Sequence, residues 1–323
     1  MKAKLRLGTR RSPMAVAQSG EVARLITERT GREIELVLIT SHGDVSDAQL
    51  TQIGGTGVFV SALRESLLRG EVDFAVHSLK DLPTGAAEPV TLAAVPPRDD
   101  PRDALVAAGG AKLADLPSGA RIGTGSPRRA EQLLLLRPDI ECVPIRGNAN
   151  TRLSKVRAGE FDAVVLACAG LARIGRAGEI TQVFEADDMV PAPGQGALAV
   201  ECRSSDTGLT ELLAAVDHAP TRAAVTAERA LLAALEAGCS APVGAYATGT
   251  ERLRLQAVTL GLTLGGVDET AGSTDANRVV VRECAEGDVA DAARLGRDLA
   301  ARMLACGAAR LIGVPDRRET QQG

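Results

Sequence analysis

Short apolar runs alternate with helix-like segments through most of the chain. Lys4–Gly8 and Ile34–Ile39 are runs of strand length rich in Leu, Ile and Val, which is typical of strands in a buried sheet. Further along, Phe59, Leu63 and Leu67 recur every four residues, as on one face of a helix. The alternation predicts an α/β fold with mainly parallel sheets.

This strand-and-helix pattern occurs twice. The two pairs of similar segments are 6–13 with 121–127, and 70–76 with 159–165. In the first pair a short apolar run leads to a Ser-Pro step, at Ser12 and at Ser126, and such a step favours the first turn of a helix. The second pair leads into apolar strands. The repeat predicts two lobes of similar fold, and ligands of open α/β sheets bind beyond the carboxyl ends of the strands.

Proline-rich stretches divide the chain. Segments 94–101 and 190–196 are candidate crossings between the lobes. After the second crossing, helices are expected at 221–235 and 289–304, and strands at 253–264 and 279–284, which predicts a small C-terminal α+β domain. We therefore expect domain 1 at residues 1–97 and 194–217, domain 2 at 98–193 and domain 3 at 218–312. The polar tail 313–323 is expected to be disordered.

Composition and charge narrow the classes of function. The chain of 323 residues has a formal net charge of −4, 2% aromatic residues and no Trp, which argues against a nucleic-acid partner because duplex DNA favours a basic face and single strands favour aromatic stacking. Six cysteines without a C-x-x-C pair and only three histidines argue against a metal site. We find no apolar leader and no apolar run of membrane-spanning length, so a cytoplasmic protein with free thiols is expected.

Arginines recur where strands are expected to end and helices to begin. They are Arg10, Arg11, Arg128, Arg129, Arg146, Arg152 and Arg173. A cation at the positive end of a helix dipole is unfavourable unless an anion lies between it and the free backbone N–H groups. A single arginine of this kind is most simply a solvated surface charge. Seven of them favour a cleft for a small polycarboxylate.

Three further segments are candidates for chemistry. Lys80 and Asp81 end an apolar strand, where a carboxylate can act as an acid or base or stabilise a cation, although an ordinary ion pair fits equally well. His77 is interpreted as a structural histidine. The glycine-rich segment 50–57 is either a mobile lid or a plain flexible loop. Cys239 follows Gly238 at an expected helix end, where a thiol is accessible, although most free cysteines simply pack.

Four motifs occur in a characteristic order. They are His77–Pro83, Arg146–Lys155, Pro193–Arg203 and the pair Gly238-Cys239. In these motifs the chain resembles the porphobilinogen deaminase (hydroxymethylbilane synthase) family, from near the N-terminus to about Leu311. The resemblance implies two lobes like those of periplasmic binding proteins, followed by the small third domain.

The same resemblance implies an activity. Members of the family are transferases that join four porphobilinogen molecules with loss of ammonia and release linear hydroxymethylbilane, in tetrapyrrole and haem biosynthesis. It implies a dipyrromethane cofactor held by a thioether to Cys239, and Asp81 as the catalytic carboxylate. Matched to cofactor binding are Cys239, Lys80, Thr124, Ser126, Arg128, Arg129, Arg146 and Gly147. Matched to substrate binding are Arg10, Ser12, Arg152, Arg173, Gln195 and Phe59. No metal, membrane or nucleic acid is implied, and a monomer is expected.

The chain departs from the family pattern at two places. The segment 50–57 has Gln52 and Thr56 where the family often has lysines, so the resemblance does not extend to a charge-pairing role for this loop. Gly125 stands where many relatives have a serine, and its backbone N–H is expected to serve instead. The alternative reading is a non-catalytic, two-lobed polycarboxylate-binding protein, which explains the lobes and the arginines but not a third domain carrying Cys239.

Overall fold

A computed structural model of the protein describes residues 4–39, 57–85, 87–238, 241–262 and 278–312. Its strands are β1 (Leu5–Arg10), β2 (Ile34–Ile39), β3 (Phe74–Ser78), β4 (Val90–Ala94), β5 (Asp103–Ala107), β6 (Arg121–Gly123), β7 (Glu141–Val143), β8 (Ala163–Ala167), β9 (Gln182–Val183), β10 (Leu198–Arg203), β11 (Val243–Thr248), β12 (Arg252–Leu262) and β13 (Arg278–Asp288).

The helices connect these strands. They are α1 (Pro13–Thr30), α2 (Gly57–Leu68), α3 (Pro127–Leu136), α4 (Ala149–Arg157), α5 (Cys168–Arg173), α6 (Thr207–Leu213), α7 (Ala219–Ala234), α8 (Ala292–Ala305) and α9 (Ala308–Ile312). Short 3-10 turns supplement them, and the turn Leu79–Asp81 directly after β3 carries two of the candidate site residues.

The chain divides into two compact units. Unit 1 comprises Met1–Pro101, Ala169–Gly178 and Gly194–Ala223, and unit 2 comprises Arg102–Cys168, Glu179–Pro193 and Ala224–Gly323.

The sheet of unit 1 is mixed and covered on both faces. Five of the described strands form it in the order β2-β1-β3-β10-β4, with β1 parallel to β2 and β3, and β10 antiparallel to both of its neighbours. On one face α1 buries Val22 against Phe74 of β3. On the other face α2 buries Leu63 and Leu67 against Ala75. The alternation of neighbouring residues between the two faces is the ordinary geometry of a strand.

Unit 2 contains a second five-stranded sheet with the same pattern of parallel and antiparallel neighbours. Among the described residues it runs β7-β6-β8-β5-β9, with β6 parallel to β7 and β8, and β5 antiparallel to β8 and β9. As in unit 1, one reversed strand lies fourth in the sheet. Ile122 of β6, Leu133 of α3 and Val165 of β8 belong to its buried core. The predicted α/β class is confirmed, although each sheet contains this reversed strand.

The pairs of similar segments in the sequence make the same hydrogen bonds in both units. Asp73 accepts a hydrogen bond from the backbone N–H of Arg6 at 2.7 Å, and Asp162 accepts the equivalent bond from Arg121 at 2.7 Å. The backbone N–H groups of the two aspartates donate back to the carbonyls of the same arginines. The glycine three residues before each aspartate has a positive φ, 71° in unit 1 and 75° in unit 2, which explains why glycine occurs there. The repeat is therefore structural.

The C-terminal part of the chain is an antiparallel sheet with helices. The described strands lie in the order β11-β12-β13, and α8 packs on β13. Within unit 2 this sheet is joined to the preceding one, because Val258 packs against Val190, and Arg278 donates to Glu131 at 2.7 Å. The predicted small α+β region is confirmed as a fold class. The predicted boundaries of three domains stay a prediction.

Several expectations differ from the structure in detail. Segment Ala169–Gly178 was expected within the second lobe, but it belongs to unit 1, and Gly170 lies against Met14 of α1. Strand β11 was not anticipated, since its Gly and Ala residues give little strand signal. The helix expected from residue 221 begins at Ala219 and ends at Ala234. The tail 313–323 lies outside the described residues.

Candidate functional site

In unit 1 the candidate residues lie where strands end and a helix begins. Strands β1 and β3 are parallel neighbours, so Arg10 at the end of β1 and the Lys80–Asp81 turn after β3 are at the same edge of the sheet. Ser12 caps α1 by accepting a hydrogen bond from Ala15 N at 3.2 Å. Arg10 is half-buried and Asp81 is exposed. One exposed carboxylate thus shares this edge of the sheet with two cationic residues.

The turn that carries Asp81 is supported by the segment that immediately precedes β10. Lys80 Nζ donates to Gln195 Oε1 at 3.3 Å, and Gln195 itself is fully buried and donates to Pro101 O at 2.6 Å. Gly194, with a φ of 75°, passes so close that a Cβ there would be 3.3 Å from Lys80 N. The structure thus places Gln195 as a support of Lys80.

Arg173 also lies in unit 1, although the strands on either side of it in the sequence belong to unit 2. Its guanidinium donates to Gly196 O at 2.8 Å and pairs with Asp99 at 2.7 Å, while Glu21 lies 3.7 Å from its Nε. Burial and the nearby Asp99 raise the pKa of Glu21, and Arg173 opposes them. A substrate carboxylate that binds Arg173 must therefore compete with two carboxylates of the protein.

In unit 2 two adjacent arginines enclose one carboxylate. Asp103, the first residue of β5, is fully buried. It pairs with Arg128 at 2.8 Å and with Arg129 at 2.7 Å. Arg128 also donates to Val190 O and Arg129 to Val165 O. Burial lowers the pKa of Arg128, although Asp103 opposes this effect. Two cations sharing one carboxylate leave an excess of positive charge.

More candidates lie at the same edge of the unit 2 sheet. Strands β6, β7 and β8 are parallel, so the residues that follow their carboxyl ends share one edge. Ser126 caps α3 by accepting from Arg129 N, and the buried Thr124 accepts from Ser126 N at 3.2 Å. Both hydroxyls are thus fixed at a helix start, with the exposed Gly125 between them.

The start of α4 presents two further arginines. Arg146 is exposed, and the half-buried Arg152 donates to Gly147 O at 2.8 Å. Gly147 has a φ of 101°, and a Cβ there would approach Thr151 within 2.7 Å, so glycine is required by both conformation and space. Burial, and then the neighbouring Arg129, lower the pKa of Arg152. Arg152 therefore adds positive charge close to Arg129.

Several expected positions are outside the described part of the structure. Cys239 is outside the described residues, and its neighbour Gly238 is exposed. Residues Gln52 and Thr56 of the glycine-rich segment also lie outside it. Phe59 lies in α2, but its side chain is not among those described. The roles expected for all four positions stay predictions.

Two buried carboxylates next to these residues were missed from the sequence. Asp103 holds both arginines of α3, and Glu201 of β10 is 3% exposed and bound by Arg64. Burial would raise the pKa of Glu201, but His77 and Arg64 outweigh it and lower that pKa to about 2. Each is a charged residue in or next to an apolar strand, and this pattern could have indicated a buried carboxylate. A buried charge needs a partner, so it would also have indicated a nearby cationic side chain.

Comparison with known families decides what these residues belong to. Residues 5–211 match the family model described as "Porphobilinogen deaminase, dipyromethane cofactor binding domain", and residues 222–305 match "Porphobilinogen deaminase, C-terminal domain". The chain belongs to the porphobilinogen deaminase family. Similar members of this family include the porphobilinogen deaminase of Thermobifida fusca, 60% identical over 95% of both chains. Porphobilinogen deaminase 1 of Streptomyces coelicolor is 56% identical over 96% of this chain and 97% of that one.

Solved structures give a weaker similarity. The methionine-binding protein MetQ matches with a TM-score of 0.43 and 11% identity, over 65% of this chain and 88% of that chain. Immunogenic lipoprotein A of Vibrio vulnificus matches with a TM-score of 0.41 and 13% identity, over 68% and 96%. The family assignment rests on the sequence matches. In the part of the chain that the structure describes, no helix is long and apolar enough to cross a membrane, and no three His, Cys, Asp or Glu side chains form a group suited to a metal ion.

Proposed function

We propose that this member of the family condenses four porphobilinogen molecules head to tail, with loss of ammonia, and that Asp81 is its catalytic carboxylate. The observation that carries this role is the position of Asp81, exposed on the turn after β3 and next to Lys80. Porphobilinogen develops positive charge as its amine departs. A carboxylate fixed beside that charge stabilises it more in the transition state than in the bound substrate, and such a difference accelerates a reaction.

The surrounding residues have separate tasks in this proposal. Lys80, held by Gln195, and Arg10 bind acidic side chains of the pyrroles at the edge of the unit 1 sheet. Ser12 and Arg173 assist them, and Phe59 of α2 is assigned to the same substrate. Because Arg173 is paired with Asp99, it takes up a substrate carboxylate by exchanging partners.

The unit 2 residues fit a group with several carboxylates. The excess positive charge of Arg128, Arg129 and Arg152, together with the helix starts capped by Ser126 and Asn148, is the donor set that carboxylates require. We assign Thr124, Ser126, Arg128, Arg129, Arg146 and Gly147 to binding of dipyrromethane, and Cys239 to its covalent attachment. When bound, dipyrromethane supplies the nucleophilic pyrrole carbon to which the first substrate unit is joined. Because Arg128 is 3% exposed, its contribution to this binding is the positive charge that it adds beside Arg129.

Replacing Asp81 tests the proposal. Asp81→Asn keeps the shape and removes the charge, so we expect kcat with porphobilinogen to fall by a factor of about 100 or more, while intact mass still shows the cofactor. Asp81→Glu is expected to retain more activity than Asp81→Asn because it keeps the charge. Glu65→Gln, on the exposed side of α2, is the control and should leave kcat unchanged. Normal turnover by Asp81→Asn would contradict the assignment.

We also propose that the enzyme works as a cytoplasmic monomer without a metal, membrane or nucleic-acid partner. Its net charge of −4 supports the last point, because nucleic acid repels an acidic surface. Light scattering during size-exclusion chromatography tests the monomer, and activity in the presence of a chelator tests the absence of a metal. A non-catalytic polycarboxylate-binding protein is not favoured, since both parts of the chain match enzyme domains.

A further inference from the structure

Three charged or polar side chains meet inside unit 1, on the face of the sheet covered by α2. Arg64 of α2 donates two hydrogen bonds to the carboxylate of Glu201, at 3.0 Å from Nε and 2.7 Å from the terminal nitrogen. His77 Nε2 of β3 lies 3.2 Å from the same carboxylate. Glu201 and His77 are 3% and 7% exposed. We call Arg64, His77 and Glu201 the Glu201 cluster.

The cluster lies within an otherwise apolar layer. In the register of the sheet Glu201 is opposite Ala75, and Ala199 is opposite His77, so Glu201 and His77 are diagonal neighbours on one face. Leu63 and Leu67 of α2 pack on that same face. Replacing a buried ion pair by apolar residues is often neutral or stabilising. Stability alone therefore does not account for a charged cluster at this place.

The cluster connects the two strands that hold the catalytic turn. Strand β3 ends at Ser78 and is followed directly by the turn that holds Lys80 and Asp81. Leu79 N donates to the carbonyl oxygen of Ala197, the residue before β10, at 3.0 Å. Lys80 is bound by Gln195, two residues before Ala197. A shift of β10 along β3 would thus move the supports of Lys80 and the backbone of Asp81 together.

We propose that Glu201, fixed by Arg64 and in contact with His77, is a positioning residue that holds β10 against β3 so that Asp81 and Lys80 keep their places in the site. Glu201 does not reach the substrate, because it is buried beneath α2. The inference rests on the proposed catalytic role of Asp81. A displacement of about 1 Å can lower a rate by a factor of about 100, so even a small shift of the two strands is measurable.

The primary test is Glu201→Gln, which keeps the shape and one carbonyl oxygen but removes the charge. We expect kcat to fall by a factor of roughly 10 to 100. KM for porphobilinogen should rise by a smaller factor, because Lys80 shifts together with Asp81 while the other carboxylate-binding side chains are untouched. Arg64→Met and Arg64→Lys form a graded pair, and kcat should decrease from wild type to Lys to Met. The lysine keeps the charge and one donor, whereas the methionine keeps only the stem.

The control removes a different ion pair from the same sheet. Asp73→Asn breaks the pair with Arg6, 2.8 Å apart, at the end of β3 remote from the turn. It should lower the thermal midpoint without lowering kcat at a temperature where the enzyme is folded.

Equal kcat values for Glu201→Gln, Arg64→Met and wild type would overturn the positioning role, and so would losses of kcat that follow stability in all variants. If Glu201→Gln does not fold, the two Arg64 variants decide. If Asp81→Asn retains normal turnover, the catalytic role of Asp81 on which this inference rests fails, and that outcome is independent of the Glu201 and Arg64 variants.

Discussion

The carboxylate of Asp103 is the residue on which the arginines of unit 2 depend most directly. It is fully buried, and the guanidinium groups of Arg128 and Arg129 pair with it at 2.8 and 2.7 Å. In Asp103→Asn one carboxylate oxygen becomes an NH₂ donor that faces a guanidinium donor, and the two cations lose their shared counter-charge. Removing one partner of a buried ion pair typically costs about 3–5 kcal/mol, a large part of the 5–15 kcal/mol by which a typical domain is stable.

A single tyrosine makes this prediction measurable in unit 2 alone. The chain has one Tyr and no Trp, and Tyr246 packs on the Val190 cluster of unit 2. Urea unfolding followed by tyrosine fluorescence therefore reports on that unit. With a slope of about 1–3 kcal/mol per M, we expect the midpoint of Asp103→Asn to fall by at least about 1 M. Glu185→Gln, which removes the exposed pair with Arg102, is the matched control. Equal midpoints for the two variants would refute the argument.

Two further predictions concern unit stability. The pKa of Glu201 is lowered from 4.5 to about 2, so its carboxylate stabilises the fold fully above about pH 4.5, and this contribution is lost as the pH falls from about 4.5 towards 2. The difference in unfolding free energy between wild type and Glu201→Gln, measured with urea at several pH values, should therefore shrink over that window. A difference that stays constant with pH would contradict the lowered pKa of Glu201. Gly123→Ala places a Cβ 3.0 Å from Ile145 and Val164 and should lower the unfolding free energy by about 1–3 kcal/mol. Gly20→Ala is the control and should not destabilise the protein, because no neighbour lies within 4 Å of the new Cβ. Thermal unfolding followed by circular dichroism compares the two variants, and equal losses of stability would refute the packing argument.

The sequence predicted the elements whose signals are local. Strand β2 has the expected bounds, and Ser12 and Ser126 cap α1 and α3 as the Ser-Pro steps indicate. The internal repeat was also visible, because the aspartates that accept hydrogen bonds from Arg6 and Arg121 recur at corresponding positions. These features depend on residues close together in the sequence, so they can be predicted from the sequence alone.

Long-range partners could not be read from the sequence. Asp103 lies 25 residues from Arg128, and Glu201 lies 137 residues from Arg64, so nothing in either local pattern identifies the partner. The same holds for α5, which follows a strand of unit 2 but packs in unit 1. These contacts depend on strand order and on the reversed strands β5 and β10, which the alternation of strands and helices does not predict.

Covalent attachment of dipyrromethane to Cys239 is the central feature of the proposed function, and an intact-mass measurement tests it most directly. Purified wild-type protein and the Cys239→Ala variant are compared before and after incubation with porphobilinogen. We predict that the wild type is heavier than its sequence mass by an increment of dipyrromethane size and that the variant lacks this increment. An increment retained by Cys239→Ala, or a wild type of bare sequence mass even after incubation, would contradict covalent attachment at Cys239.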